Sequence, residues 1–300
     1  WNMEVYVMAY DYVIVTDSTA NLPEDMIEKY ELEILSLNYY VDGEEHKGYV
    51  KGQKVELAPF YDMMRQKKEI TTSLVTVGDA MDLLENIVKE GKDYLYVGFS
   101  SGLSGTFQAV SLVTASLSKK YPERKLYAVD SLAAALGQGL LVKYVIDNRE
   151  NGMSISENAD WIVEHRNNIC HWFTVDDLNF LKRGGRVSPA AALLVSVLGI
   201  KPILHVDDEG HLIMVSKVRG RKKSLITLVD NMEKQMGSYR DQNDIVFISH
   251  GDALEDAQFV ANLVKERFGI DSFLINYVGS TIGAHSGPGT IALFYMGEYR

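Results

Sequence analysis

The chain has 300 residues, 46% of them hydrophobic and 24% charged, with 41 Asp+Glu against 30 Lys+Arg for a formal net charge of −11. That length suits two domains or one large α/β unit, and the acidic balance argues against nucleic acid or an anionic membrane surface as the main partner. No run approaches the roughly 20 apolar residues that a bilayer-spanning helix requires, so no integral membrane association is expected.

Met8 reads as a native start and Trp1 to Val7 as a leader, without the basic and apolar segments of a secretory signal. Residues 13–16 are expected to form a short buried strand ending in Asp17-Ser18-Thr19. A helix follows, with Asn21 as its cap and Pro23 in its first turn. Residues 32–41 read as extended and 57–67 as helical; Thr71-Thr72-Ser73 then precedes a helix over about 78–90, with Met81, Leu84, Ile87 and Val88 on one face. The apolar run 94–99 is a strand leading through Ser100–Phe107 (SSGLSGTF) into another helix. Residues 125–129 form a strand ending at Asp130-Ser131, a long helix follows, and Ser154 with Glu157 makes a capping box for the next one.

Strands and helices alternate here, and the strands are continuous apolar runs, the pattern of a mostly parallel sheet covered on both faces. Hydroxyls recur at strand carboxyl ends (Ser18-Thr19, Ser100-Ser101, Ser131), the edge where open α/β sheets bind ligands. The second half reads differently. Residues 202–206 and 211–215 flank Asp207–Gly210 as an antiparallel hairpin, 222–236 and 254–267 are helical, and 244–249, 271–278 and 290–296 are strands. The expectation is α/β with two α/β domains. Residues 9–168 hold a mostly parallel sheet flanked by helices, and residues 169–300 a mixed or antiparallel sheet with helices.

The lone Cys170 excludes an internal disulfide and fits a reducing, cytoplasmic compartment; beside Ile169 and His171-Trp172-Phe173 it reads as a small buried hydrophobe. No H-E-x-x-H or C-x-x-C spacing occurs, so neither a metal nor a cofactor is expected.

The stretch SSGLSGTF packs four hydroxyls and two glycines into eight residues. A nucleophile elbow needs G-x-S-x-G, and Gly102-Leu103-Ser104-Gly105 brings the second glycine one residue too early. A phosphate loop would carry a lysine, and none is nearby. Hydroxyls with helix-start amides and no lysine suit a singly charged anion such as a carboxylate, while helix capping accounts for only one or two of the hydroxyls. His285 sits in Gly283–Thr290 (GAHSGPGT), read as a loop between two extended segments, where three glycines and a proline fix the backbone and turn the imidazole toward a ligand. His250 follows a strand and is a candidate to line the same site, whereas His46, His165, His171, His205 and His211 read as structural. Cations gather at 181–186 and 217–223, either as a solvated face or as a docking surface for an acidic partner or phosphorylated product.

With these motifs in order, the chain closely resembles the DegV family of bacterial fatty-acid-binding proteins. The resemblance runs from residue 13 to the end. It rests on Thr72-Ser73, Ser100–Phe107, Ala128–Ser131, Phe180–Arg186, Gly199–Pro202, Lys217–Arg221 and Gly283–Gly289. The family commonly has Gln-Pro after the Thr-Ser, and this chain has Leu74-Val75. The resemblance implies a long-chain fatty acid, such as palmitate, bound in an apolar tunnel between the two domains, with no catalytic residue. It implies that Thr72 and Ser104 hydrogen-bond the carboxylate, that His285 lies close by, and that Ser73, Ser101 and the Gly105 amide are further contributors. It also implies a fatty-acid kinase as partner, for which Arg183, Arg186, Arg219 and Arg221 would provide docking. Two other readings stay open: a serine-dependent lipid hydrolase or acyltransferase using Ser104 with His285 and Asp17, and a small-anion or phosphate-binding regulator.

Overall fold

The computed structural model describes residues 10–53, 55–188 and 199–300, so the segment read as a leader and Met8 lie outside the described residues. Numbered along the chain, β1 (Tyr12–Asp17), β2 (Glu33–Leu35), β6 (Asp93–Gly98) and β7 (Leu126–Asp130) form an all-parallel sheet in the order β2-β1-β6-β7. β1 and β6 are rich in Val, Ile and Tyr and are buried along almost their whole length, as a parallel sheet covered on both faces demands. Helices Val77–Lys89 and Thr106–Lys120 cover one face.

The second large sheet is mixed. β8 (Ile169–Thr174), β9 (Ile200–Val206), β10 (Leu212–Arg219), β11 (Val246–His250), β12 (Phe273–Tyr277) and β13 (Ile291–Met296) run in the order β10-β9-β8-β13-β11-β12. Only β11 and β12 pair in parallel. Helices Arg221–Gln235 and Leu254–Phe268 pack on one face of it. The other face meets helix Leu136–Glu150, which also packs on β1 and β6. Its first two turns, Leu136–Val142, are buried on every side, as an element sandwiched between two sheets must be, and its charged residues gather toward the other end. Gly137 lets it approach β8, because a Cβ there would run into the His171 ring. Among the described residues no helix is long and apolar enough to cross a membrane.

A third, small sheet escaped the sequence reading. β3 (Asn38–Val41) and β4 (Glu44–Lys47) form a hairpin, and β5 (Ile70–Ser73) pairs with β3 on the other side, all antiparallel. The hairpin turns at Asp42-Gly43, whose φ of +49° and +88° fit a two-residue turn of the kind Asp-Gly favours.

Two local expectations are corrected. Asn21 does not cap the first helix: it takes a left-handed conformation closing the 3-10 turn Ser18–Ala20, and Pro23 itself is the residue preceding helix Glu24–Lys29. Residues 283–286 are not loop but the end of a helix, Ser280–Ser286, and the unusual backbone comes immediately after it, at Gly287 and Gly289 with φ of +83° and +80°. The capping box at Ser154 and Glu157 forms.

Candidate ligand-binding site

A cavity of about 360 Å³ lies between the carboxyl edge of the parallel sheet and the inner face of the mixed one, within the few-hundred-Å³ range of small-molecule sites. Its floor follows from strand register. On β13, Ala292 and Phe294 project to one face, and β8 sets Phe173 opposite Ala292 and His171 opposite Phe294. At about 3.3 Å per residue, the floor runs roughly 13 Å from Thr290 to Phe294. Leu37, Val206, Leu212, Val278 and Ile282 add apolar walls.

The polar groups gather where β5, the loop after β6 and helix Ser280–Ser286 converge. Thr72 Oγ1 lies 2.8 Å from His285 Nε2. Ser104 Oγ is 3.0 Å from Thr106 Oγ1 and accepts the Thr106 N–H at 3.2 Å. Thr72, Ser73, Ser104, Gly105 and His285 all line the cavity. Burial, with the Arg186 charge nearby, pushes the His285 pKa down to about 4, so the imidazole is neutral at physiological pH. Gly184 admits the ring, since a Cβ there would collide with His285 Nδ1.

Several residues sit elsewhere than the sequence pattern suggests. Arg186 turns into the cavity wall, with its Nε donating to Leu103 O at 3.3 Å and its Nη1 to Gly184 O. Among the described lining residues it is the one formal cation, and no carboxylate is present. Ser286 lines the cavity as well, almost fully buried, and its hydroxyl has no partner. The sequence reading passed over it, although it follows His285 directly. His171, read as structural, forms part of the lining, yet both ring nitrogens engage backbone: Nδ1 donates to Ile169 O at 2.9 Å and Nε2 accepts from Ala134 N at 3.3 Å. His250 is not part of this lining; its Nδ1 accepts the Ala253 N–H at 3.2 Å and its ring rests against Tyr277.

Ser101 is not among the lining residues; its N–H faces the Asp130 carboxylate at 3.3 Å. Ser100 is buried and donates to Gly210 O at 2.8 Å, clasping the tip of the β9–β10 hairpin. Val75 supplies an N–H that reaches Thr106 Oγ1 at 3.3 Å, a bond that a proline at this position could not make. Leu74, 43% exposed, stands at the rim. Arg183 is exposed over the Phe180 ring and Arg219 is exposed on the edge strand β10. Arg221 is tied to Asp256 at 2.8 Å and to Gly289 O at 2.6 Å.

Ser104 is not assembled with His285 as a nucleophile–base pair; the hydroxyl beside the imidazole is that of Thr72. Among the described residues no hydrogen bond joins Ser104 to His285, and Asp17 is buried in bonds to Thr19, Tyr96 and Phe99. No group of His, Cys, Asp and Glu among the described residues has the geometry of a metal site.

The chain matches a family model described as "Uncharacterised protein, DegV family" over residues 11–298. It is 41% identical over 291 residues to a DegV domain-containing protein of Clostridium perfringens, covering 96% of this chain and 98% of the other. Two solved structures superpose along nearly the whole chain. A fatty-acid-binding DegV family protein from Streptococcus agalactiae is 27% identical with a TM-score of 0.78, covering 97% of this chain and all (100%) of that one. A Thermotoga maritima protein described as revealing a fatty acid binding function is 26% identical with a TM-score of 0.81, covering 96% and 100%. The chain belongs to the DegV family.

Proposed function

We propose that this protein binds one long-chain fatty acid, of the palmitate type, and carries or presents it without catalysing a reaction on it. The observation that carries this reading is the segregation of the cavity: a long apolar floor, and a polar cluster of Thr72, Ser104, His285 and Arg186. Enclosing some fifteen methylenes at about 0.8 kcal/mol each supplies on the order of 10 kcal/mol before association costs are subtracted. The carboxylate then needs orientation more than strength. Hydroxyls from Thr72, Ser73, Ser104 and Ser286 with the Gly105 amide would orient it, and the half-buried Arg186 would neutralise it. The described relatives that bind fatty acids share this fold along the whole chain.

In this reading the acid lies between an N-terminal unit, residues 9–168, and a C-terminal unit, residues 169–300. The exposed Arg183 and Arg219 would meet an acidic surface on a fatty-acid kinase, and the lone buried Cys170 suits a cytoplasmic protein. Displacement of a fluorescent fatty acid tests the binding claim: palmitate should displace it at equimolar protein, and 1-hexadecanol, with the same tail and no carboxylate, should do so more weakly. Equal displacement by the alcohol would remove the carboxylate from the reading. A serine-reactive fluorophosphonate should leave Ser104 unlabelled; stoichiometric labelling would establish the hydrolase reading instead.

A further inference from the structure

Behind the cavity wall, three side chains hold more hydrogen-bond contacts than they have hydrogens. Thr16 Oγ1 spends its one hydrogen on Val97 O at 2.8 Å, so it must accept from Gln138 Nε2 at 3.0 Å. Nε2 also reaches Val97 O at 3.3 Å, an oxygen that can only accept. Reversing the Gln138 amide would set oxygen against both groups. The amide oxygen therefore faces Thr19 Oγ1, 2.8 Å away. Thr19 Oγ1 also contacts Asp17 Oδ1. Gln138 Oε1, Thr19 Oγ1 and Asp17 Oδ1 thus form a row with two contacts, and the one Thr19 hydroxyl hydrogen serves only one of them.

The remaining donors around Asp17 are all committed. The Thr19 N–H points to Oδ1 at 3.1 Å, while the Tyr96 hydroxyl and the Phe99 N–H point to Oδ2 at 2.8 and 2.9 Å. We infer that Asp17 is a neutral carboxylic acid that carries a proton on Oδ1 and donates it to Thr19, whose own hydroxyl hydrogen goes to Gln138. Asp17 becomes a positioning residue, and the relay Asp17–Thr19–Gln138 fixes Thr19 in the lining of the cavity.

The surroundings agree. Asp17 is completely buried, and burial raises its pKa against the pull of its hydrogen bonds. Among the described residues no charged side chain bonds to it. The titratable neighbour is Tyr96, whose phenol burial also holds protonated, and the further carboxylate bearing on Tyr96 is Asp130. One consequence rests on the fatty-acid reading: an uncharged Asp17 removes one negative charge behind the wall that would repel a carboxylate in a low-dielectric site. The proton itself does not depend on that reading.

Infrared spectroscopy of the lipid-stripped full chain tests it. The wild type at pH 7 should show a carboxylic-acid carbonyl band that disappears in Asp17→Asn; no such band, or one unchanged in that variant, would overturn the assignment. Thr19→Val supplies a second decision that does not need Asp17→Asn to fold. It removes the oversubscribed hydroxyl and leaves Asp17 three donors, so the pH at which the band is lost should fall by about one unit or more, a tenfold change in proton affinity. A midpoint that stays or rises, as burial alone would dictate, would overturn the relay. Because the measurement uses no ligand, failure of the fatty-acid reading would leave its outcome untouched.

Discussion

Thr72 Oγ1 and His285 Nε2 stand 2.8 Å apart although 213 residues separate them in the chain. Thr72 arrives on β5, the third strand of the small antiparallel sheet, and His285 in the last turn of the helix preceding β13. The pair therefore joins an element of the first half to one of the second, at the polar end of the cavity. In the proposed reading this neutral imidazole and the hydroxyl beside it orient the carboxylate of the acid.

Removing one hydroxyl from this end should cost little. Thr72→Ala and Ser104→Ala are each expected to weaken palmitate binding by about 1 kcal/mol, roughly fivefold, because the tail carries most of the affinity. Isothermal titration with lipid-free protein measures this directly. Unchanged affinity in both variants would move the carboxylate elsewhere.

The acid limb of stability should report His285. Its pKa is held down from 6.5 to about 4, so folded and unfolded chains bind protons equally above pH 6.5, and the unfolded chain binds more below it. Stability from the buried neutral ring is present above pH 6.5 and lost as pH falls toward 4, by on the order of 3 kcal/mol. Burial depresses His171, His205 and His250 in the same direction, so a slope remains without His285. Urea denaturation at pH 7 and pH 5 should show a smaller difference for His285→Gln than for wild type.

Neighbouring glycines should respond differently to alanine. Gly184 has φ of −70°, so its backbone accepts a side chain, but the new methyl would strike the His285 ring. Gly185 has φ of +71° with open space around it, so alanine there costs about 1 kcal/mol of backbone strain and nothing at the site. Gly184→Ala is expected to lose palmitate affinity, and Gly185→Ala thermal stability alone.

Ser100 separates structure from binding within one short loop. Ser100→Ala removes the bond to Gly210 O and leaves that buried carbonyl without its side-chain donor, for a loss of about 1–2 kcal/mol in stability. Palmitate affinity should stay within twofold of wild type, because Ser100 does not line the cavity. An affinity loss matching that of Ser104→Ala would assign Ser100 to the ligand.

The parallel sheet was legible because β1, β6 and β7 are short apolar runs punctuated by hydroxyls and helices. The small sheet was not, because β4 is Glu44-Glu45-His46-Lys47, charged and exposed, and only Asp42-Gly43 between β3 and β4 marks the hairpin. Arg186 is encoded in a run of cations that reads equally well as surface; only the fold around Gly184-Gly185 turns it inward. His171 and Phe173 alternate correctly for one sheet face, but β8 is buried on both faces, so no polar residues betray the period. His285 stood out in the sequence for its glycines, of which Gly283 lies within the helix that carries it and Gly287 and Gly289 shape the backbone after it.

The central claim is a bound fatty acid, and native mass spectrometry of the purified chain with organic extraction tests it most directly. The account predicts a mass increment of one acyl chain per protein, released by extraction and identified as a free long-chain acid, or the same increment after palmitate is added to stripped protein. A chain that purifies empty and takes up neither palmitate nor oleate would contradict it.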